Sequence, residues 1–320
     1  MLSRRKFIAS VGIAAVGPGS ALGSQKMPFH LSVITDEISQ DFERACAVAS
    51  REFGLQSVEL RAMHDKNIIN WDSGDIAEVR RILARYHLSV SQLASPVFKT
   101  DWPGAPKSPS SPKGPQFGAS FTYEQQLELL DHAIDLAKTF RTPYIRIFDF
   151  WRLEDQTPYR RAIDNRLREA AALAGKKGVT LTLENELDCN TATGAEASRL
   201  LNAVTEPALM LNWDPGNAAA RGEKPFPDGY ARLPKHRIAY VHCKDLAELT
   251  GGKTEWAAMG KGIIDWAGQF RALAKDGYRG TVSLETHWTG GGTPEESSRQ
   301  SMAGMNRLLE SARRAVNGGV

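Results

Sequence analysis

The segment Leu173–Glu184, LAGKKGVTLTLE, contains the structural unit from which the fold of this chain can be predicted. Gly178 stands where a helix should end, because glycine adopts the left-handed backbone conformation that closes many helices. The residues that follow, Val179–Leu183, are β-branched or apolar and predict a short strand. Helix end, glycine and strand recur in this order at Gly54 and Gly277, so the chain is predicted to alternate helices with strands.

Eight such strands can be predicted, separated by amphipathic helical segments. Leu127, Leu130, Ile134 and Ala137 show the three- and four-residue spacing of one of these helices. The predicted strands are His30–Thr35, Ser57–Leu60, Ser89–Leu93, Tyr144–Phe148, Val179–Leu183, Leu209–Trp213, Ile238–Val241 and Thr281–Leu284. Eight strand–helix units over about 260 residues indicate an α/β fold, a single-domain (β/α)8 TIM barrel. A doubly wound open sheet is the alternative, but Thr35–Ser39 lacks the Gly-x-Gly-x-x-Gly turn that often follows its first strand.

Length and composition exclude several classes of protein. The chain has 320 residues, 42% of them hydrophobic and 24% charged, and its mean hydropathy is −0.35. These values are ordinary for a soluble globular protein and exclude collagen-like, disordered and multi-span membrane proteins. The net charge is +3, but Arg4, Arg5, Lys6 and Lys26 lie at the N-terminus, so the remaining chain is close to neutral. We therefore expect neither nucleic-acid binding nor a basic membrane-binding patch.

The first 25 residues have the pattern of an export signal. Adjacent arginines, Arg4 and Arg5, are followed by the short apolar run Ala9–Val16 and by small residues near position 21. The run is far below the ~20 residues that a membrane span needs, so no membrane anchor is expected after cleavage. The paired arginines resemble the twin-arginine signal, which predicts export to the periplasm. Residues 26–320 are predicted to form the barrel.

One segment, residues 101–118 (DWPGAPKSPSSPKGPQFG), interrupts the alternation of strands and helices. It contains five prolines and three glycines and shows no apolar periodicity, so it is predicted to be a long loop after the third strand. Loops that follow barrel strands surround the active-site face. A substrate-covering lid and a disordered surface insertion are both open interpretations.

Four side chains suited to a metal ion stand at the carboxyl ends of four successive predicted strands: Glu184, Asp214, His242 and Glu285. They are 30, 28 and 43 residues apart, each about one strand–helix unit. Because a barrel directs such side chains to a common axis, the four are expected to converge. A single carboxylate there is often a helix cap, but four in register are not explained that way. Three carboxylates and an imidazole suit one divalent ion: Mn²⁺, Co²⁺, Fe²⁺, Zn²⁺ or Mg²⁺.

Several segments resemble the sugar phosphate isomerase/epimerase family of xylose isomerase-like TIM barrels. The resemblance extends over roughly residues 30–290 and is carried by Thr35–Ser39, Val58–Arg61, Ser95–Lys99, Glu184–Glu186, Asp214–Asn217, His242–Asp245, Gly260–Trp266 and Ser283–Glu285. Two positions differ from the ketose 3-epimerases of that family. Asn217 stands where they have a histidine, and Glu248 where they have an arginine.

The resemblance implies a metal-dependent isomerase or epimerase with a small-molecule carbohydrate as substrate. One divalent ion, held by Glu184, Asp214, His242 and Glu285, would polarise a ketose carbonyl and stabilise a cis-enediolate. The two glutamates are the implied catalytic acid and base. Since their strands are three apart, they can approach opposite faces of a flat intermediate. The predicted reaction is therefore proton abstraction alpha to a carbonyl.

Other polar residues near the strand ends are candidates for substrate binding: Lys99, Arg146, Glu186, Asn217, Lys244 and His287. Lys99 and Arg146 are expected to contact sugars or carboxylates. Lys244 could reach a substrate oxygen or pair with Glu186, and His287 could carry a proton or lie at the barrel rim.

Four charged residues follow or belong to the first two strands. Glu59 and Arg61 alternate on the second strand, where they either serve the site or pair with neighbours. Asp36 and Glu37 follow the first strand and are interpreted as caps of the next helix.

Three other functions start from the same residues. A metal-dependent lyase or dehydratase of a keto-sugar or keto-glycoside would form the same enolate and then expel a leaving group. A catalytically silent sugar-binding barrel would bind without turnover. A three-metal endonuclease needs more ligands than these four, and the near-neutral charge is also unfavourable for it. The sugar, the native metal and the oligomeric state are left open.

Overall fold

The computed structural model describes residues 27–114 and 120–317 and contains all eight predicted strands. They are β1 (His30–Val33), β2 (Ser57–Leu60), β3 (Ser89–Leu93), β4 (Tyr144–Ile147), β5 (Thr180–Glu184), β6 (Leu209–Trp213), β7 (Ile238–Cys243) and β8 (Thr281–Leu284). The strands are parallel and paired in the order β1-β8-β7-β6-β5-β4-β3-β2. Each strand therefore lies beside its neighbours in the chain, as in a TIM barrel.

The barrel is nearly closed between β1 and β2. A single parallel bridge joins Ile34 to Glu59, and the Ser32 hydroxyl donates to the carbonyl of Ser57 at 3.3 Å. The fold is thus the predicted single-domain α/β barrel, and the open doubly wound sheet is wrong.

Helices pack around the strands, with the principal core between the two layers. They are α1 (Phe42–Ala47), α2 (Ser73–Tyr86), α3 (Gln126–Phe140), α4 (Arg160–Lys176), α5 (Gly194–Ala203), α6 (Pro215–Ala220), α7 (Tyr230–Arg232), α8 (Trp266–Lys275) and α9 (Pro294–Asn317). On α3 the predicted apolar face is observed, since Leu130, Ile134 and Ala137 are fully buried. Burial of such a stripe, more than intrinsic propensity, stabilises a helix of this length.

The helix starts show local sequence signals. Asp72 accepts hydrogen bonds from the backbone of Gly74 and Asp75 and forms a capping box at the start of α2. The cap of α1 is Asp41, which accepts from the backbone N–H of Arg44. Asp36 and Glu37 lie instead in a short 3-10 turn, Thr35–Glu37. The expectation that they cap the helix is therefore wrong.

The interior of the barrel contains polar side chains just below the carboxyl ends of the strands. Along β5, Leu181 and Leu183 belong to the apolar core, while Thr182 and Glu184 alternate with them and point inward. The Thr182 hydroxyl donates to the Gln92 side chain at 2.5 Å. Inward-facing positions thus carry hydrogen-bonding groups directly below the strand ends.

Two hairpins extend the carboxyl-end face, Ala62–Met63 with Lys66–Asn67 and Asp245–Glu248 with Thr254–Ala257. The predicted proline-rich loop is described up to Gly114 and contains neither helix nor strand in that part. Trp102 anchors it by edge-on contacts with Tyr123 and Phe150, with ring centroids 5.3 and 4.8 Å apart. The predicted signal segment, residues 1–25, lies outside the described residues. Among the residues that are described, no helix is long and apolar enough to cross a membrane.

Candidate active site

The structure brings the four predicted metal ligands together at the carboxyl end of the barrel. Glu184 ends β5, His242 lies in β7, and Asp214 and Glu285 directly follow β6 and β8. One ligand atom from each residue lies within 4.8 Å of the other three. All four residues are buried, with Glu285 the most exposed at 2%.

The imidazole of His242 lies at the centre of this cluster. Its Nδ1 atom is 3.3 Å from Glu184 Oε1, 3.3 Å from Glu285 Oε2 and 3.9 Å from Asp214 Oδ2. Nδ1 and one oxygen from each of the three carboxylates therefore face the same small volume.

The other ring nitrogen of His242 is held by Glu59. Both carboxylate oxygens of Glu59 lie 3.1 Å from His242 Nε2, and the Gln92 side chain donates to Glu59 Oε1 at 2.9 Å. The Asn212 amide nitrogen is 3.2 Å from the same Nε2. A carboxylate behind a histidine fixes the orientation of the ring and increases its basicity. Of the two roles left open for Glu59, the structure therefore supports a contact with the site. Asn212 was not predicted as a site residue, although it lies on the same strand face as Asp214.

The donor set fits a divalent cation. Glu184 Oε2 and Asp214 Oδ2 are buried and accept no hydrogen bond from the described residues, although each lies within ion-pair distance of one cation. Buried carboxylate oxygens are costly unless charge or hydrogen bonds compensate them. Three oxygen donors and one imidazole nitrogen, fixed from behind, are the ligands that ions of intermediate hardness prefer.

Two cationic side chains contact the cluster directly. Lys244 Nζ is 2.6 Å from Glu285 Oε2 and 2.8 Å from Asp214 Oδ2, the latter an ion-pair distance without hydrogen-bond geometry. Arg146 Nη1 is 3.2 Å from Glu184 Oε2. The open interpretation that Lys244 pairs with Glu186 is therefore not what the structure shows.

Arg61 joins the site to the end of β1. Its guanidinium donates to Asp36 Oδ2 and Glu285 Oε1, both at 2.9 Å, and to Glu37 Oε1 at 2.6 Å. Asp36 and Glu37 thus fix a cation beside Glu285. Arg61 therefore has both of the roles that the sequence left open, since it pairs with its neighbours and also contacts the candidate site.

Burial and mutual charge shift the pKa values in the cluster. Burial would raise the pKa of Glu184, but the charges of His242 and the nearby guanidinium lower it to about 2. Burial is likewise outweighed at Glu285, where the Lys244 ammonium and neighbouring histidines hold the pKa well below its usual range. Burial raises the pKa of Asp214 to about 6, although Lys244 opposes this rise. Glu184 and Glu285 are therefore anionic at neutral pH, the form that a base or a metal ligand requires.

A cavity of about 980 Å³ adjoins the cluster, and Glu285 is the member of the cluster that lines it. This volume lies at the upper end of ~300–1,000 Å³, the range usual for pockets of small organic ligands. Four of the predicted substrate-binding residues line it: Lys99, Arg146, Glu186 and His287. Aromatic side chains complete much of the wall, namely Phe121, Phe148, Trp151, Trp256 and Trp288. Residues of the proline-rich loop, including Asp101 and Lys107, also line the cavity.

The remaining candidates divide between the cavity and the buried cluster. Lys99 Nζ lies 4.5 Å from the centroid of the Phe148 ring and 3.8 Å from Glu186 Oε2. His287 Nε2 is 3.3 Å from Glu285 Oε1. Asn217 is almost fully buried, and its amide is 3.2 Å from Glu184 Oε1. Like Lys244, it lies behind the cavity wall, so its predicted contact with substrate stays a prediction.

Comparison with known proteins identifies a family and several enzymes to which this chain is similar. The family model described as xylose isomerase-like TIM barrel matches residues 47–308. Inosose dehydratase of Clostridium botulinum is 25% identical over 135 residues, 38% of this chain and 45% of that protein. The putative L-ribulose-5-phosphate 3-epimerase SgbU of Escherichia coli is 26% identical over 171 residues, 52% of this chain and 59% of that protein. The matches thus span about half the length of these curated relatives.

A solved structure shows the same fold. The IOLI protein, crystallised with a bound zinc atom, superposes with a TM-score of 0.68 at 16% identity. The superposition covers 89% of this chain and 99% of that protein.

Proposed function

Because this chain belongs to the xylose isomerase-like TIM barrel family, we propose that it is a metal-dependent enzyme that removes a proton alpha to the carbonyl of a polyhydroxylated ketone. The observation that carries this proposal is the convergence of Glu184, Asp214, His242 and Glu285 beside a large cavity that Glu285 lines. The zinc atom bound in a solved structure of the same fold is consistent with a metal-binding function for this chain. An ion bound there would act as a Lewis acid on the carbonyl.

The proton is moved by this chain's own carboxylates. Glu285 lines the cavity, and Glu184 does not line it but lies at the same 3.3 Å distance from His242 Nδ1 as Glu285 does. Because both are held anionic, one can accept the proton and the other, once protonated, can return it. Arg146 Nη1, 3.2 Å from Glu184 and 4.0 Å from Glu285, stabilises negative charge near both.

Return of the proton gives an isomer or epimer, and this is the first candidate reaction. The similarity to a putative L-ribulose-5-phosphate 3-epimerase supports it. Elimination of water from the same enolate is the second candidate. It is favoured by His287, which lines the cavity with Nε2 3.3 Å from Glu285 and could protonate a departing hydroxyl. The similarity to inosose dehydratase supports this reading as well.

The test is to reconstitute metal-free protein with each candidate ion and to incubate it with keto-sugars and cyclic polyol ketones in D₂O. An isomer carrying deuterium on the reacting carbon supports epimerisation, and a water-loss product supports elimination. A matched His242→Ala protein should lose both metal and turnover. Stoichiometric metal with neither deuterium exchange nor product from any of these ketones would refute the proposed activity and favour a silent sugar-binding barrel.

We also propose export through the twin-arginine route, on the pattern of residues 1–25. Replacing Arg4 and Arg5 by lysine should retain the full-length precursor in the cytoplasm, as cell fractionation would show. Equal export of the variant and the wild type would refute the route.

A further inference from the structure

The most unusual feature of the site is a lysine among the metal-binding carboxylates. Lys244 is fully buried, and its ammonium lies 2.6, 2.8 and 3.9 Å from oxygens of Glu285, Asp214 and Glu184. The side chain does not line the cavity. In this position it neutralises buried charge that would otherwise be costly.

The fold makes room for this lysine. Gly216, two residues after Asp214, lies against it so closely that a Cβ atom at this position would be 2.4 Å from Lys244 Cγ. Such a distance is not tolerated, so a side chain at position 216 would force Lys244 or the neighbouring backbone to shift. The buried position of Lys244, just after β7, therefore depends on a glycine just after the neighbouring strand β6.

The lysine and the proposed ion require the same oxygen atoms. Lys244 Nζ is nearest to Glu285 Oε2 and Asp214 Oδ2, the two oxygens that also face His242 Nδ1. A divalent ion bonds to such donors at ~2.0–2.3 Å. It would then lie within a few ångströms of the ammonium, in a buried site where like charges repel strongly.

We propose that Lys244 is a displaceable internal counter-ion, whose ammonium holds Asp214 and Glu285 in the metal-free protein and leaves that position when the ion binds. This inference rests on the proposed metal site. The route outward leads past Trp256, whose ring centroid is 5.4 Å from Nζ and which lines the cavity. There the aromatic face stabilises the displaced ammonium. Metal binding thereby transfers a cation from the buried cluster to the substrate cavity.

The first test compares metal affinity, by titration calorimetry, in wild type, Lys244→Met and Lys99→Met. Methionine fills the niche without charge, so Lys244→Met should bind the ion at least about tenfold more tightly, or roughly 1.4 kcal/mol. Lys99→Met, which removes a lysine that lines the cavity and is not in contact with Asp214 or Glu285, should bind the ion like the wild type. Equal affinity in wild type and Lys244→Met overturns the displacement only, whereas absence of binding to all three proteins overturns the metal site as well.

The second test uses the wild type alone and does not depend on the stability of a variant. Reductive methylation followed by peptide mass spectrometry measures the reactivity of Lys244. It should be protected in the metal-free protein and become at least about tenfold more reactive with the ion bound, while Lys99 changes little. Unchanged protection of Lys244 in protein shown to contain metal would overturn the inference.

Discussion

Replacing Glu59 by glutamine tests whether the orientation of His242 determines metal binding. Glu59 is fully buried, and both of its oxygens lie 3.1 Å from His242 Nε2. Glutamine keeps the shape but has one acceptor oxygen, so its NH₂ group would face either the Gln92 amide that now donates to Glu59 or the imidazole nitrogen alone. Because Glu59 Oε1 contacts both Gln92 and His242, an amide oxygen at that position could keep both contacts, but the variant loses the second oxygen beside the histidine and the negative charge.

The expected size of the effect follows from two opposed contributions. Loss of the carboxylate reduces the basicity and the alignment of the metal ligand, which typically costs 10- to 100-fold in metal affinity, about 1.4–2.8 kcal/mol. The charge of Glu59 also helps to raise the pKa of His242 well above its usual value. Its removal makes the proton easier to displace, which favours metal binding. At higher pH this second contribution shrinks, so we expect the net loss to increase as pH rises.

The assay is competition of metal-free protein with a fluorescent chelator at pH 8. Glu186→Gln is the matched control, because Glu186 lines the same cavity but pairs with Lys99 at 3.8 Å rather than with the histidine. Its affinity should equal that of the wild type. If Glu59→Gln folds, as judged by circular dichroism, and binds metal within twofold of the wild type, the argument that Glu59 positions His242 is refuted.

Two further predictions concern the proposed acid and base, Glu184 and Glu285, and a buried acid, Asp149. Glu184→Gln and Glu285→Gln should each lower turnover at least about 100-fold with little change in circular dichroism, because each removes the proposed acid or base. The control Glu255→Gln, at an exposed position, should keep full activity. If a variant at 184 or 285 retains more than about a tenth of the wild-type activity, that residue is not the acid or base. Burial raises the pKa of Asp149 from 3.8 to about 7, so its contribution to stability is present at low pH and is lost as pH rises towards 7. The free energy of unfolding of Asp149→Asn, relative to that of the wild type, should therefore be roughly 2–3 kcal/mol higher at pH 8 than at pH 5. Urea unfolding that gives the same difference between the two proteins at both pH values would contradict this.

The barrel could be predicted from the sequence because each strand has a local signal. Runs of β-branched residues after glycines, as at Gly178, determine strand positions to within about two residues. The four converging residues followed from the same pattern, since a side chain at a strand's carboxyl end has a fixed direction once the barrel is assumed. Periodicity and fold class were therefore sufficient for the positions of Glu184, Asp214, His242 and Glu285.

Contacts between distant strands could not be predicted in this way. That Glu59 faces His242 depends on how β2 and β7 lie across the barrel, and no spacing along the chain specifies such a pair. The same is true of Arg61, whose partners come from the turn after β1 and from the end of β8. Lys244 was ambiguous for a different reason: its direction depends on the room that Gly216 leaves, and a glycine gives no periodic signal.

The charges around the site argue for one ion and not two. Three permanent cations, Lys244, Arg61 and Arg146, lie within ion-pair distance of the carboxylates of Asp36, Glu37, Glu184, Asp214 and Glu285, and the carboxylate of Glu59 contacts His242. Such an excess of negative charge in a largely buried network needs compensation, and one divalent ion supplies most of it. A second group of possible ligands, Glu37, Glu285 and His287, also lies within 4.8 Å. However, Arg61 bonds to Glu37 Oε1 and Glu285 Oε1, so its guanidinium already provides the cation there. Metal analysis of the loaded protein should therefore give close to one ion per chain, and two would show that Arg61 gives way to metal.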